Sequence, residues 1–402
     1  MFNLEGFINQ YVTKRPSSMF RPDIEKNSAA LTAKIEGKKV LVIGGAGSIG
    51  SSFIKALLPF KPATLVVVDT NENALAELTR DLRSTKGMFV PGDYVTYPMD
   101  FASPVFEKMF IKRGGFDIVG NFSAHKHVRS EKDIYSVEAL LQNNVLHAKL
   151  LLDLLSQYPP EEYFCVSTDK AANPVNIMGA SKRIMEDVIF SYSDKFPVKT
   201  ARFANVAFSN GSLPAGFLAR IQKLQPLSAP SDVRRYFVSP EESGQICLLS
   251  CILGENRAIF FPKLEEAQMM TFDAIGTELL KVHGYEVLEC ASDEEAIAKA
   301  EDLKNGSNLY PVHYAVSDTS GEKPFEEFVT ETETADYERF SSLGVITGKE
   351  IPDKARVEKL FTELNAAFEK EETTKEEVVS IMKAYLPNFE HIETGKSLDS
   401  KM

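Results

Sequence analysis

Little in this chain offers chemistry through sulfur, metal or membrane. Four cysteines occur among 402 residues, Cys165, Cys247, Cys251 and Cys290, and no two form a C-x-x-C pair. A reduced chain in the cytoplasm is the simplest reading. Histidine numbers only six; His125 and His127 lie two apart in a turn with no third ligand nearby, so no metal is expected. No apolar run approaches the roughly 20 residues that cross a bilayer, so no membrane span is expected. Glu5 and Asn9 interrupt any signal-peptide pattern at the start. Long basic runs are also missing, and the net charge is -12, which argues against nucleic acid as a partner. There is no internal repeat and no low-complexity tract. With 44% hydrophobic and 25% charged residues the composition is globular. The length allows two or three domains, or one large α/β unit with additions.

What is present is an alternation of strand and helix signals. Lys39-Val40-Leu41-Val42-Ile43 reads as a strand running into Gly44-Gly45-Ala46-Gly47-Ser48-Ile49-Gly50, followed by a helical pattern at Phe53, Leu57 and Leu58. Gly44, Gly47 and Gly50 give G-x-x-G-x-x-G. Without Cβ atoms the backbone turns tightly and approaches a pyrophosphate, and the helix start at Ser48 and Ile49 supplies N–H groups. A second strand, 64–68, ends in Asp69, about 20 positions past the glycines, the place of an acidic residue on a ribose 2′-hydroxyl. A 2′-phosphate would be repelled there, which favours NAD over NADP.

Further strands are read at 88–98, ending at Asp100 and Phe101, at 116–122, ending at Ser123, and at 198–206. Residues 137–155 read as one long helix. Between them, the run from Tyr163 enters Ser167-Thr168-Asp169-Lys170, then a loop at Asn173-Pro174, then a helix near Met178. In an open α/β sheet ligands sit at the carboxyl ends of strands. A hydroxyl, a carboxyl and an amine thus arrive together at the expected active edge. Met178 and Lys182, four apart, share a helix face.

S-T-D-K-A-A-N-P followed by M-G-A-S-K resembles the extended short-chain dehydrogenase/reductases, and within them the UDP-N-acetylglucosamine 4,6-dehydratases of bacterial nucleotide-sugar and surface-glycan biosynthesis. Most of the superfamily has Tyr at the Met178 position; Met there resembles one branch, which retains the configuration at carbon 5. The resemblance covers roughly residues 36–285 and 317–390. It implies an α/β fold, a Rossmann-type doubly wound parallel sheet with a smaller C-terminal substrate domain. It also implies a lyase that binds NAD and acts on UDP-N-acetylglucosamine, giving UDP-2-acetamido-2,6-dideoxy-α-D-xylo-hexos-4-ulose. Asp169 would be the acid at carbon 6, Lys170 the base at carbon 5, and Thr168 the partner of the carbon 4 hydroxyl. Lys182 would hold the nicotinamide ribose. Met178 cannot take a proton, so either Thr168 with a water or Asp169 itself must receive the carbon 4 proton. Asp100 and Phe101 would pack at adenine, and Ser123 would lie beside the cofactor. By the same resemblance Lys126, Asn205, Ser209, Arg235 and Glu322 would meet the UDP-sugar, although Thr319 stands where the family has an Arg. A carbon-5-inverting dehydratase, a nucleotide-sugar 4-epimerase and a non-catalytic NAD-binding regulator are the competing readings.

The expected organisation is a helical extension over 1–35 and an NAD-binding domain over 36–210, with a further strand near 258–263. A mainly substrate-binding part follows over 211–350, then C-terminal helices and a tail over 351–402. Leu4, Phe7, Ile8, Tyr11 and Val12 have helical spacing and are expected to pack on the main body or on a second subunit; with the resemblance, they suggest a homo-oligomer, dimer or hexamer. Residues 292–305 read as a charged surface insertion. Thr373 with Glu376 reads as the capping box of the last helix.

Overall fold

The computed structural model describes residues 2–127, 131–317 and 327–392. Nine strands form the main sheet: β1 (Lys39–Ile43), β2 (Thr64–Asp69), β3 (Asp93–Pro98), β4 (Ile118–Asn121), β5 (Glu162–Thr168), β6 (Val198–Phe203), β7 (Ile259–Pro262), β8 (Thr334–Asp336) and β9 (Leu343–Thr347). Their spatial order is β8-β9-β7-β6-β5-β4-β1-β2-β3. Strands β1 to β7 run parallel, and β9 pairs antiparallel with both β7 and β8. The strand order reverses between β1 and β4, which opens a crevice at their carboxyl ends.

Both faces of the sheet are covered at its centre, so strands such as β1 and β2 are almost continuously apolar. Leu41 and Ile43 of β1 enter one core with Val66 and Val68 of β2. Val40 and Val42 enter the other with Leu65 and Val67. The first core also takes Ile184 and Val188 of the helix Ile177–Phe190, and Leu360, Leu364, Val378 and Met382 of the C-terminal helices Lys354–Phe368 and Lys375–Tyr385. The capping box expected at Thr373 and Glu376 does not open the last of these helices: its N-cap is Thr374, which accepts from Glu377 N, while Thr373 bonds back to Ala367 O.

A second lobe has its own three-stranded parallel sheet, with Leu309–Ala315 between Leu227–Pro230 and Glu286–Cys290. The charged stretch 292–305 is therefore more than a surface insertion. It forms the helices Asp293–Lys299 and Glu301–Lys304, the crossover between two parallel strands, with Ala296 and Leu303 buried beneath. Phe7, Ile8 and Val12 of the N-terminal segment are buried in this lobe's core, beside Phe217, Ile275 and Leu279. Their apolar side is thus covered within the chain and does not call for a second subunit. Arg15 fixes the segment through two hydrogen bonds to Glu242, at 2.7 and 2.6 Å.

Candidate active site

The glycine loop lies at the reversal point between β1 and β4. Gly44 has φ +69° and lies so close to β4 that a Cβ there would stand 2.6 Å from Ser123 N. Only glycine takes that conformation and approach without strain. At Gly50 a Cβ would lie 2.7 Å from Gly45 Cα, so this glycine lets the helix Ser48–Leu57 close onto the loop. Gly47 differs: a Cβ there would meet only Gly44 O, at 3.4 Å. Its bareness serves no internal contact and leaves an open cradle. No side chain caps the helix that follows, which leaves its first amides to be met by an anion. Asp69, at the end of β2, accepts from Ala46 N at 3.0 Å and Asn71 N at 2.9 Å, so its carboxylate stands over the loop. This cradle fits a dinucleotide pyrophosphate.

Beyond β3, the carboxylate of Asp100 accepts from Ala102 N at 2.8 Å, and Phe101 is buried against the His147 ring. Ser103 caps the helix Pro104–Lys112. Residues 137–155 are not one regular helix. Ile134–Leu141 gives way to a π-turn, Gln142–Leu146, before His147–Gln157. The extra residue of a π-turn re-aims side chains, and here two consecutive asparagines both turn inward. Asn143 accepts from Ser123 Oγ at 3.1 Å. Asn144 grips the His125 backbone on both sides at 2.9 Å and donates to Ser181 Oγ at 3.1 Å. Burial lowers the His125 pKa, reinforced by His147 and Lys182.

Strand β5 ends at the Thr168, Asp169, Lys170 cluster. Asp169 is 3% exposed, and its Oδ1 accepts from Thr168 Oγ1 at 2.6 Å, Lys170 N at 2.9 Å and Lys170 Nζ at 3.2 Å. The helix Ile177–Phe190 presses against this cluster. A Cβ on Gly179 would lie 2.7 Å from Lys170 O, which is why the glycine of M-G-A-S-K is needed there. Asn176 caps the helix by accepting from Gly179 N at 2.7 Å. Lys182, 3% exposed, donates to Val166 O at 3.1 Å, and burial pushes its pKa down despite the nearby Glu186. Met178 is 2% exposed among the apolar core residues and offers no group for proton transfer.

Lys126 and Ser209 come together across the crevice, Nζ to Oγ at 3.4 Å, and burial lowers the Lys126 pKa. Asn205 lies on a short strand with Val206 that pairs with Phe237–Val238. Arg235 is buried and donates to Arg234 O at 2.9 Å, while Arg234 takes the surface ion pair, with Glu266. Glu322 and Thr319 lie outside the described residues.

Two features have no counterpart in the sequence reading. Glu131 is a buried carboxylate that accepts from Ile177 N at 3.0 Å and Met178 N at 2.8 Å. Behind β5, Arg202 is fully buried between Glu186, at 2.8 Å, and Glu333, at 2.6 Å, and Ser167 Oγ joins Glu186 at 2.7 Å. Two charged residues, Lys199 and Arg202, within an apolar central strand were the available signal, since buried charge demands a partner.

Among the described residues no helix is long and apolar enough to cross a membrane. The chain is 28% identical over 355 residues to an uncharacterized membrane protein of Methanocaldococcus jannaschii, covering 86% of this chain and 95% of that one. It is 26% identical to the probable polysaccharide biosynthesis protein EpsC of Bacillus subtilis over 72% of this chain, but spans only 47% of that protein's length. A UDP-N-acetylglucosamine 4,6-dehydratase (inverting) of Campylobacter jejuni is 26% identical, over 57% of this chain and 67% of that one. Among solved structures, Pen from Bacillus thuringiensis superposes with TM-score 0.63 at 18% identity, covering 82% of this chain and 98% of that one. DesIV, a dTDP-glucose 4,6-dehydratase from Streptomyces venezuelae with NAD bound, superposes with TM-score 0.53 at 20% identity, covering 72% and 88%. These likenesses agree with the Rossmann-type doubly wound fold described above. The family profile described as polysaccharide biosynthesis protein matches residues 40–347, and the chain belongs to that family.

Proposed function

We propose that the protein is an NAD-dependent 4,6-dehydratase of UDP-N-acetylglucosamine that retains the configuration at carbon 5. The observation that carries this reading is the shared oxygen of Asp169. Its Oδ1 accepts from both Thr168 Oγ1 and Lys170 Nζ, at 2.6 and 3.2 Å. When bound, NAD supplies the acceptor of the hydride from carbon 4 and its donor to carbon 6.

The protons are handled by the chain's own residues. A carbon 4 hydroxyl bonded to Thr168 passes its proton to Thr168 Oγ1 as Thr168 passes its own to Asp169. This fills the place of the absent Tyr without asking anything of Met178. Protonated Asp169 no longer favours the charged form of Lys170. Lys170 then releases its ammonium proton to solvent and, as the free amine, takes the proton from carbon 5. Asp169 then gives its proton to the carbon 6 hydroxyl, which leaves as water. Lys170 returns its proton to carbon 5 on the face from which it came. At the end Asp169 is again a carboxylate, Lys170 recovers its proton from solvent, and the sugar has lost one water. Lys182 supplies a buried positive centre where alkoxide character develops.

Lys126, Asn205, Ser209 and Arg235 are the proposed UDP-sugar contacts, with Glu322 from the family resemblance. The cytoplasm and a homo-oligomeric state belong to the same proposal, and the family resemblance alone now supports the latter. Incubating purified protein with UDP-N-acetylglucosamine and weighing the product tests the reaction. Loss of one water supports dehydration; an epimerase would leave the mass unchanged.

A further inference from the structure

We propose that Glu131 is a positioning residue that clamps the start of the active-site helix, and that the C-terminal segment holds this clamp in place. The first amides of a helix have no partner within it. In Ile177–Phe190 three consecutive amides are met by side chains: Ile177 by Glu131 Oε2 at 3.0 Å, Met178 by Glu131 Oε1 at 2.8 Å, and Gly179 by Asn176 Oδ1 at 2.7 Å. Asn176 is local, so it can cap the helix but cannot fix where the helix sits. Glu131 lies 46 residues from Ile177, across the loop, and its two oxygens engage two adjacent amides. A carboxylate at this end is also favoured by the helix dipole.

The consequence for the site follows from packing. Gly179 rests against the Lys170 carbonyl, and Lys182 reaches back to Val166 O. A shift at the helix start therefore moves Lys170 and Lys182 relative to each other. Misplacement of about 1 Å is enough to cost on the order of 100-fold in rate.

The C-terminal segment meets the same place from outside. Lys375 Nζ donates to Glu131 O at 2.8 Å, His391 Nε2 stands 4.0 Å from Glu131 Oε2, and Ile392 N donates to Val175 O at 3.1 Å. The loop joining the Asp169 cluster to the Met178 helix is thus pinned at Val175 and, through Glu131, at Ile177 and Met178.

The inference leans on the proposed dehydration only for its kinetic readout. The test compares wild type with Glu131→Gln and Glu131→Ala, each with NAD bound, by amide exchange read by mass spectrometry and by steady-state kinetics. Glu131→Gln keeps one acceptor oxygen and places donors against the other amide. Exchange in the peptide 175–182 is expected to speed up about tenfold or more in the variants, and exchange in the helix Pro240–Leu253 to stay as in wild type. Turnover is expected to fall in the order wild type, Gln, Ala, by about tenfold or more for Ala, with KM for the UDP-sugar within about twofold. Unchanged exchange at 175–182 overturns the clamp whatever the substrate proves to be. Loss of turnover matched by equal loss across all helices, or by a large rise in KM, overturns it as well. If Glu131→Ala does not fold, the Gln variant carries the same comparison, with Ile392→Pro, which removes the amide bonded to Val175, as a second variant that leaves Glu131 in place.

Discussion

Thr168 donates its hydroxyl proton to Asp169 across 2.6 Å, and the receiving oxygen also accepts the Lys170 ammonium. Three neighbours in sequence thereby form one hydrogen-bonded cluster at the end of β5, the unit through which the proposed mechanism moves protons. Replacing Thr168 by valine keeps the shape and removes the relay. Thr168→Val is expected to fold normally and to lose turnover by about 100-fold or more, the usual worth of positioned proton transfer. Thr168→Ser should retain most of the activity, as measured by kcat on the UDP-sugar.

Two glycines of the cradle, Gly47 and Gly50, should fail differently. Gly50→Ala drives a Cβ into Gly45 Cα at 2.7 Å, and overpacking of this kind costs about 1–3 kcal/mol. Gly47→Ala meets only Gly44 O at 3.4 Å and should fold as well as wild type. Its methyl occupies the space a pyrophosphate needs, so NAD affinity should fall while the melting temperature does not. Thermal melts with and without added NAD separate the two outcomes.

The network behind β5 predicts an acid-sensitive fold. Burial alone would raise the pKa of Glu333, but hydrogen bonds and charge from Arg202, with help from Lys349, hold it down, from 4.5 to about 2. A carboxylate lowered in the folded state contributes stability above its unfolded value and loses it as pH falls through the folded one. The contribution should therefore be complete above pH 4.5 and vanish toward pH 2. Urea midpoints of wild type and Glu333→Gln should converge across that window and stay apart above it. At neutral pH Arg202→Met should cost about 3–5 kcal/mol, because it leaves Glu186 and Glu333 buried without their shared partner.

What could be read from the sequence were the features carried by neighbours in the chain. The glycine loop, Asp69 and the Thr168, Asp169, Lys170 cluster each sit at a strand end, where short-range pattern and position coincide. The features that escaped are made by residues far apart. Arg202 meets Glu333 across 131 positions, and Glu131 meets Ile177 across 46; a single Glu in a polar stretch carries no periodic signal. The π-turn at Gln142–Leu146 was hidden for another reason, since one extra residue hardly changes a helical hydrophobic pattern. Residues 292–305 read as a charged surface insertion because the strand Glu286–Cys290 before them is half-exposed and only partly apolar.

The measurement that bears most directly on the proposed function is the reaction of UDP-N-acetylglucosamine in heavy water. In the proposed mechanism Lys170 exchanges its protons with solvent while the ketone exists, whereas carbon 6 receives the hydrogen that left carbon 4. The product should lack one water and carry one deuterium at carbon 5, in the original configuration, with none at carbon 6. Lys170→Ala should lose this elimination by about 100-fold or more. An unchanged mass, deuterium at carbon 6, inversion at carbon 5, or normal elimination by Lys170→Ala would each contradict the assignment.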